Sequence, residues 1–373
     1  MVTRIKNARL VSGGAVNEGE LYFENGRICE KKCHDVEIDA NGNFVSAGFV
    51  DIHCHGGALG DFCDGDAEKD IAAAKMHLSH GTTSLFPTVT SVSFEAIKKA
   101  VDAIDKARST AKNLRGVHLE GPYFSPNQSG AQNTDALATP DVKACAALLD
   151  GCSIARWDYA PELDTDFAFL NLLKDRGIIP AAAHTDATCT EMERAAERGC
   201  KLITHLYSCT STIKRKNGFR IAGVVEAAYL VDDIAVELIA DGCHLPHELL
   251  RLAYKQKGAG KIALVTDAMR AAGVEGGGEY DIGGVKCFVE DGVAKLLDRS
   301  AFAGSVATCD RLVRTCVAAG IPLADAIRMI SETPALLMGM SGKGKLDIGF
   351  DADIVIFDDN INIKQVILEG ELV

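Results

Sequence analysis

From residue 48 to about 340, short apolar runs rich in β-formers alternate with stretches whose apolar positions recur at helical spacing. The runs at 49–53, 82–87, 114–119, 154–159, 178–184, 201–205, 234–240 and 262–266 predict strands. The stretches at 67–79, 94–109, 140–149, 167–175, 190–198, 246–256 and 307–318 predict amphipathic helices. Alternation at this spacing implies βα units with parallel pairing. Eight such units close into a (β/α)8 TIM-type barrel. A doubly wound open sheet is the competing topology, but no G-x-G-x-x-G follows the first predicted strand.

The two ends of the chain have a different texture. Residues 1–47 carry short β-rich runs around 5–11, 20–24 and 28–30, punctuated by Gly13-Gly14, Asn25-Gly26 and Asn41-Gly42. Asn-Gly between two such runs is a strong hairpin signal. Residues 352–357 and 364–368 repeat the pattern. The two ends are therefore expected to meet in one small β-sandwich domain, over 1–47 and 341–373, flanking a barrel domain over 48–340. The glycine-rich segment from 273 to 295 reads as turns and strands inserted before the last predicted helix.

Polar residues fall in a telling place within this pattern. The first strand ends in His53-Cys54-His55, the third in His118-Leu119-Glu120, the fifth in His184-Thr185-Asp186 and the sixth in His205. The seventh runs out through Asp241-Gly242-Cys243-His244, and the eighth through Thr266-Asp267. In a parallel barrel these groups surround one axis at the strands' C-terminal ends. Ionisable groups clustered there cost desolvation energy unless a metal or substrate compensates. Two imidazoles and a carboxylate (His184, His205 and Glu120) leave an open position on a divalent ion, which lowers the pKa of a coordinated water towards about 7. Asp267 would accept that water's proton and hand it to a leaving nitrogen. His53 and His55, spaced i and i+2, point to the same face of a strand and would hold a second ion, with Glu120 as bridge.

Composition narrows the partners. The formal net charge is −13, which argues against binding nucleic acid or an anionic membrane surface. No apolar stretch is long enough to span a bilayer, and Arg4, Lys6 and Arg9 interrupt the N-terminal residues where a leader's apolar core would lie. Thirteen cysteines, odd in number and without C-x-x-C spacing, read as reduced thiols of a cytoplasmic protein. An anionic substrate needs local positive charge against that field. The segment Lys214-Arg215-Lys216-Asn217-Gly218-Phe219-Arg220 supplies it.

Taken together, Gly48-Phe49-Val50-Asp51-Ile52-His53, His118-Leu119-Glu120-Gly121-Pro122, His184-Thr185-Asp186-Ala187-Thr188, Thr204-His205-Leu206, Ala240-Asp241-Gly242-Cys243-His244 and Val265-Thr266-Asp267-Ala268 resemble the N-acetylglucosamine-6-phosphate deacetylases of the amidohydrolase superfamily. The closing Gly344-Lys345-Leu346-Asp347-Ile348-Gly349-Phe350-Asp351-Ala352-Asp353 resembles that superfamily's return into its small β-domain, so the resemblance runs almost end to end. It implies metal-dependent removal of acetate from an N-acetylhexosamine 6-phosphate. Another N-acyl substrate, such as N-acetylgalactosamine 6-phosphate, an N-acyl-amino acid or a cyclic amide, is the alternative. It also implies one or two divalent ions per chain, zinc first, with iron or manganese open. Glu120, His184 and His205 match the main metal ligands, Asp267 the acid/base, and His244 a contact to the sugar phosphate. His53 and His55 match a histidine pair found in part of the family.

Three places depart from the family. Ser208-Cys209 stand where an Asn-Ala pair helps hold the phosphate, and Ser129-Gly130-Ala131-Gln132 stand where a basic residue and a histidine are usual. Arg220, in an unusually basic segment, lies near the family's phosphate-binding arginine. Ser208, Cys209, Ala131 and Arg220 are thus expected at the substrate. The resemblance further implies a homodimer whose basic loop reaches the neighbouring site. A barrel without catalysis, kept as an assembly module, has no need of Glu120, His184, His205 and Asp267 together.

Overall fold

The computed structural model describes residues 1–373. Its eight central strands are Phe49–Cys54, Thr82–Val89, Val117–Glu120, Ile154–Tyr159, Ile179–Ala182, Leu202–Ile203, Ala235–Leu238 and Ile262–Leu264. They lie side by side in chain order and pair in parallel throughout. No reversal of strand order occurs, so the doubly wound alternative is set aside and the sheet is a nearly closed barrel.

Side chains do much of the closing. Cys54, at the end of the first strand, forms an isolated parallel bridge with Ala268, just beyond the last strand. Beside it the Asp267 N–H donates to the His53 carbonyl at 2.9 Å, and the buried Asp51 carboxylate accepts from the Thr266 N–H at 3.2 Å and its hydroxyl at 2.5 Å.

Helices cover the outside because their apolar stripes have only the strands to pack on. In Phe94–Ala107, Ile97, Ala100, Val101, Ile104 and Ala107 make a buried stripe at i, i+3, i+4 spacing, and Ser93 caps the helix through the Ala96 N–H. Cys189–Glu197 starts in a reciprocal Thr188–Glu191 capping box. Three helices, Val224–Leu230, Leu323–Ile330 and Glu332–Leu337, were not anticipated. The first is only seven residues long and follows a basic turn; Pro322 and Pro334 disguise the other two as breaks.

Strand ends also differ from the sequence pattern. The fifth, sixth and eighth strands stop before His184, His205 and Asp267, which take left-handed backbone conformations with φ of 43°, 29° and 48°. Periodicity cannot see that turn.

Inside the barrel, alternation stacks chemistry in layers. Val50, Ile52, Ala181, Ala235 and Ala263 belong to an apolar cluster. Further along the strands the buried side chains become charged: Arg156 and Asp158 on one strand, Glu237 on another. The segment expected to be turns and strands is a four-stranded antiparallel sheet of Gly278–Ile282, Val285–Glu290, Val293–Leu296 and Phe302–Ser305. Its last strand is pinned to the barrel's end, where the Ser305 N–H donates to the Asp267 carbonyl at 2.7 Å.

Both chain ends share one further sheet. Val2–Ser12 pairs with Ala15–Glu24, which turns through Asn25-Gly26 into Arg27–Cys29. Phe44–Ala47 pairs in parallel with Val2–Ser12 and antiparallel with Ile354–Phe357, knitting start to finish. No helix is long and apolar enough to cross a membrane.

Candidate active site

Glu120 is the point on which the strand ends converge. It follows His118 at i+2 on the third strand and is almost fully buried. Its Oε1 lies 3.0 Å from His205 Nε2, 3.1 Å from His184 Nε2 and 3.7 Å from His53 Nε2. Its Oε2 lies 3.3 Å from His55 Nε2. Asp267 Oδ1 lies 3.2 Å from His55 Nε2 and 3.5 Å from His53 Nε2. Four imidazoles and two carboxylates from five strand ends thus share one small volume.

Two sets of three have all their ligand atoms within 4.8 Å of one another: His53, Glu120 and His205, and His53, His55 and Asp267. His53 belongs to both. His184 reaches Glu120 without joining either set. The donor set fits a divalent cation on physical grounds. His53 Nε2 and His55 Nε2 lie 3.2 Å apart, and oxygens of Glu120 and Asp267 lie 3.2–3.7 Å from them, so imidazole nitrogens and carboxylate oxygens, the donors a divalent ion prefers, converge on one small volume. A third set, Asp51, Cys54 and His77, lies behind the first strand, where the Asp51 carboxylate is already taken up in closing the barrel.

Three of the four far ring nitrogens are held in ways typical of ligand histidines, while His55 Nδ1 is buried without a partner. His184 Nδ1 meets the Gln128 carbonyl at 2.8 Å, His205 Nδ1 the Ser208 carbonyl at 3.1 Å, and His53 Nδ1 the Glu237 carboxylate at 3.3 Å. Glu237 is in turn paired with Arg156, which also grips Asp158 through two bonds of 2.8 and 2.9 Å and the Thr204 hydroxyl at 2.6 Å. This buried ionic layer is the floor of the site. Charged residues inside two otherwise apolar runs are the sequence signal for this layer.

Electrostatics keep the carboxylates ionised. Burial pushes the Glu120 carboxyl up, but the charge of His53 and hydrogen bonds from His184, His205 and His55 outweigh it and hold it well below the usual range. Burial likewise raises Asp267, and His55 and His53 bring it below the ordinary value. Burial lowers His55, yet Asp267 and Glu120 raise it to about 10. Burial and the Arg156 charge push His118 down to about 4, keeping it neutral beneath the site.

A cavity of about 290 Å³ opens over this cluster. Its lining includes Ala131, Ser208, Cys209 and His244, the positions expected at a substrate, together with Ile282, Phe302 and Gly304 from the antiparallel sheet. Asp241 orients His244 by accepting from its Nδ1 at 2.9 Å and from its main-chain N–H at 2.8 Å, and the ring packs on Phe302 at 4.7 Å. Burial raises the Cys209 thiol, but His184 and His205 together bring it below the usual thiol range. A larger cavity of about 520 Å³, between the helix Ala67–Ser79 and the strand Ile363–Leu368, contains none of the clustered histidines.

Arg220 is the one predicted substrate residue outside the 290 Å³ cavity. The basic segment is a hairpin of Lys214–Lys216 and Phe219–Ile221, and the exposed Arg220 donates to the Gly218 carbonyl at 3.1 Å.

A parallel barrel carrying histidines and carboxylates at its C-terminal mouth, beside a β-domain made from both chain ends, defines a metal-dependent hydrolase scaffold. The amidohydrolase family profile matches residues 44–373, and the chain belongs to that family. It is 32% identical to the N-acetylglucosamine-6-phosphate deacetylase of Lysinibacillus sphaericus, over 99% of this chain and 97% of that protein. It is 31% identical to the N-acetylglucosamine-6-phosphate deacetylase of Homo sapiens, over 100% of this chain and 95% of that one. Among solved structures, it superimposes on the N-acetylglucosamine-6-phosphate deacetylase from Pasteurella multocida with a TM-score of 0.93 at 27% identity, over 100% of both chains. A mutant N-acetyl-D-glucosamine-6-phosphate deacetylase from Mycobacterium smegmatis, in complex with N-acetyl-D-glucosamine-6-phosphate, matches with a TM-score of 0.91 at 27% identity over 100% of this chain and 98% of that one.

Proposed function

We propose that this chain hydrolyses the acetamide of N-acetyl-D-glucosamine 6-phosphate, releasing acetate and the amino-sugar phosphate. The observation that carries this reading is the convergence of His53, His55, His184, His205 and Asp267 around Glu120 at the floor of an open cavity. At about 290 Å³ the cavity is near the lower end of small-molecule sites, roughly 300–1,000 Å³. That size suits one sugar better than a polymer.

Glu120, His184 and His205 would hold the catalytic ion, and His53 and His55 a second, with Glu120 between them. Zinc is the ion we expect; iron and manganese suit the same donors. A divalent ion supplies Lewis-acid activation of water and of the amide carbonyl. The remaining work falls to the chain's own groups. Asp267, held ionised beside His55, accepts the water's proton and returns it to the departing amine nitrogen, so that the C–N bond breaks to acetate and free amine. His244, fixed by Asp241, presents Nε2 to the sugar phosphate. Ser208, Cys209 and Ala131 border the bound sugar.

Phosphate charge would be met by Arg220, whose fork pairs two phosphate oxygens at once. Since Arg220 lies outside its own chain's cavity, we infer a homodimer in which the hairpin reaches the partner's site. The thirteen free cysteines support a cytoplasmic setting. We take 1–47 with 341–373 as the β-domain and 48–340 as the catalytic one.

The test is acetate release from the sugar phosphate by purified protein loaded with zinc, iron or manganese, beside N-acetylglucosamine and an N-acetyl-amino acid. Release from the phosphorylated sugar alone is the expected result. Failure with every ion, or equal rates with the unphosphorylated sugar, would overturn the assignment.

A further inference from the structure

Gln132 lies on the loop after the third strand, 8% exposed, with both ends of its amide committed. Its Oε1 accepts from the Thr90 hydroxyl at 2.7 Å and from the Ser91 N–H at 3.2 Å. A main-chain N–H can only donate, so the orientation of this amide is fixed by its surroundings. The Nε2 end must therefore face the site. It donates to Glu120 Oε2 at 2.7 Å, and it stands 3.5 Å from His184 Nε2.

This contact divides the two oxygens of Glu120. Oε1 is left to His205, His184 and His53, while Oε2 is held by Gln132 with His55 nearby. A carboxylate free to spin about its last torsion has no such division, since that torsion is soft and nearly two-fold. A neutral amide donor sets the rotation without adding a charge to compete with a cation.

We propose that Gln132 is a positioning residue that locks the Glu120 carboxylate, with Thr90 and Ser91 as its anchor, and so sets the affinity of the site for its divalent ion. The proposal rests on the reading of Glu120 as a metal ligand. Partners behind a ligand typically contribute 10–100-fold in metal affinity, and Gln132 is such a partner, held by Thr90 at the cavity wall and by Ser91, whose hydroxyl also donates to the Glu120 main-chain carbonyl at 3.4 Å.

The test is zinc affinity measured by chelator competition on the full-length protein, for wild type, Gln132→Leu, Thr90→Val and the double variant. Melting of each metal-free protein serves as the control for folding. Gln132→Leu is expected to bind zinc about 10–100-fold more weakly. Thr90→Val should weaken binding in the same direction although it does not touch Glu120. The double variant should be no weaker than Gln132→Leu alone, because Thr90 acts through the same contact. A residue that merely supports the loop would lower the melting temperature of the metal-free protein and leave zinc affinity within twofold. That result overturns the proposal while the metal reading stands. If wild type takes up no zinc, iron or manganese, the metal reading itself falls and takes this one with it. If Gln132→Leu does not fold, unchanged zinc affinity in Thr90→Val overturns the proposal on its own.

Discussion

His184, His205 and Asp267 share a left-handed backbone as well as a site. Side chains rarely adopt that conformation except where surrounding structure over-determines it, and functional sites are where it recurs. For Asp267 the surroundings are explicit: its N–H is tied to the His53 carbonyl and its own carbonyl to the Ser305 N–H. Replacing the side chain should therefore leave the backbone in place. Asp267→Asn is expected to lower acetate release by about 10²–10⁴-fold, the usual range for a positioned acid–base group, with metal content near wild type. Loss of the metal, read by elemental analysis, would mean that Asp267 serves as a ligand. Asp70 makes a separate prediction, far from chemistry. It is 1% exposed, neither oxygen has a partner, and burial, followed by Asp66, Asp64 and Asp61, raises its carboxyl from 3.8 to about 8. The folded chain then keeps a proton that the unfolded chain has already lost, so this group's contribution to stability is intact below about pH 4 and erodes as pH rises towards 8. Asp70→Asn should melt alongside wild type near pH 4 and above it at pH 8; parallel melting profiles would refute the shift.

The first and last barrel strands are joined as much by one side chain as by a ladder. Asp51 accepts from the Thr266 N–H and hydroxyl and lies 3.3 Å from the His53 N–H, all out of water. Asp51→Ala would strand these donors, at about 1–3 kcal/mol for each one left buried and unpaired. A loss of at least about 2 kcal/mol in denaturant unfolding is expected, with Asp51→Asn milder because it keeps an acceptor. A change below about 0.5 kcal/mol, the level of an ordinary surface substitution, would show that the ladder closes the barrel unaided. Periodicity made the strands themselves legible, since each is an apolar run ending in polar residues, and the Asn25-Gly26 turn announced its hairpin. What it missed has local causes. Val224–Leu230 is too short to show a stripe, and Pro322 and Pro334 sit at helix starts that resemble breaks. At the site, the histidines and carboxylates that gather at the strand ends were readable from residue type. Arg156, Asp158 and Glu237 were not paired in advance, because their contact depends on which strands face one another across the barrel. Gln132 was hidden for the same reason: its partners Thr90 and Glu120 come from different strand ends.

At the scale of the molecule, charge poses the remaining question. A chain of net charge −13 is proposed to bind a phosphorylated sugar, yet its basic hairpin stands outside the cavity where that sugar would lie. Phe219, beside Arg220, is 77% exposed, and Ile213 just before the hairpin is 60% exposed, an apolar surface that a second copy would cover. In a symmetric dimer each hairpin can serve its partner's site, and mixing two inactive variants tests this directly. Asp267→Asn keeps Arg220 but lacks the proposed acid–base group; Arg220→Ala keeps Asp267 but lacks the proposed phosphate contact. If Arg220 acts on its own chain, no mixture restores turnover. If it acts across the interface, each mixed dimer has one complete site, built from Asp267 of one chain and Arg220 of the other. Half the dimers in an equal, fully exchanged mixture are mixed, so about a quarter of wild-type activity should return under symmetric pairing. A monomer in sedimentation, or no recovery after exchange, would rule the shared site out.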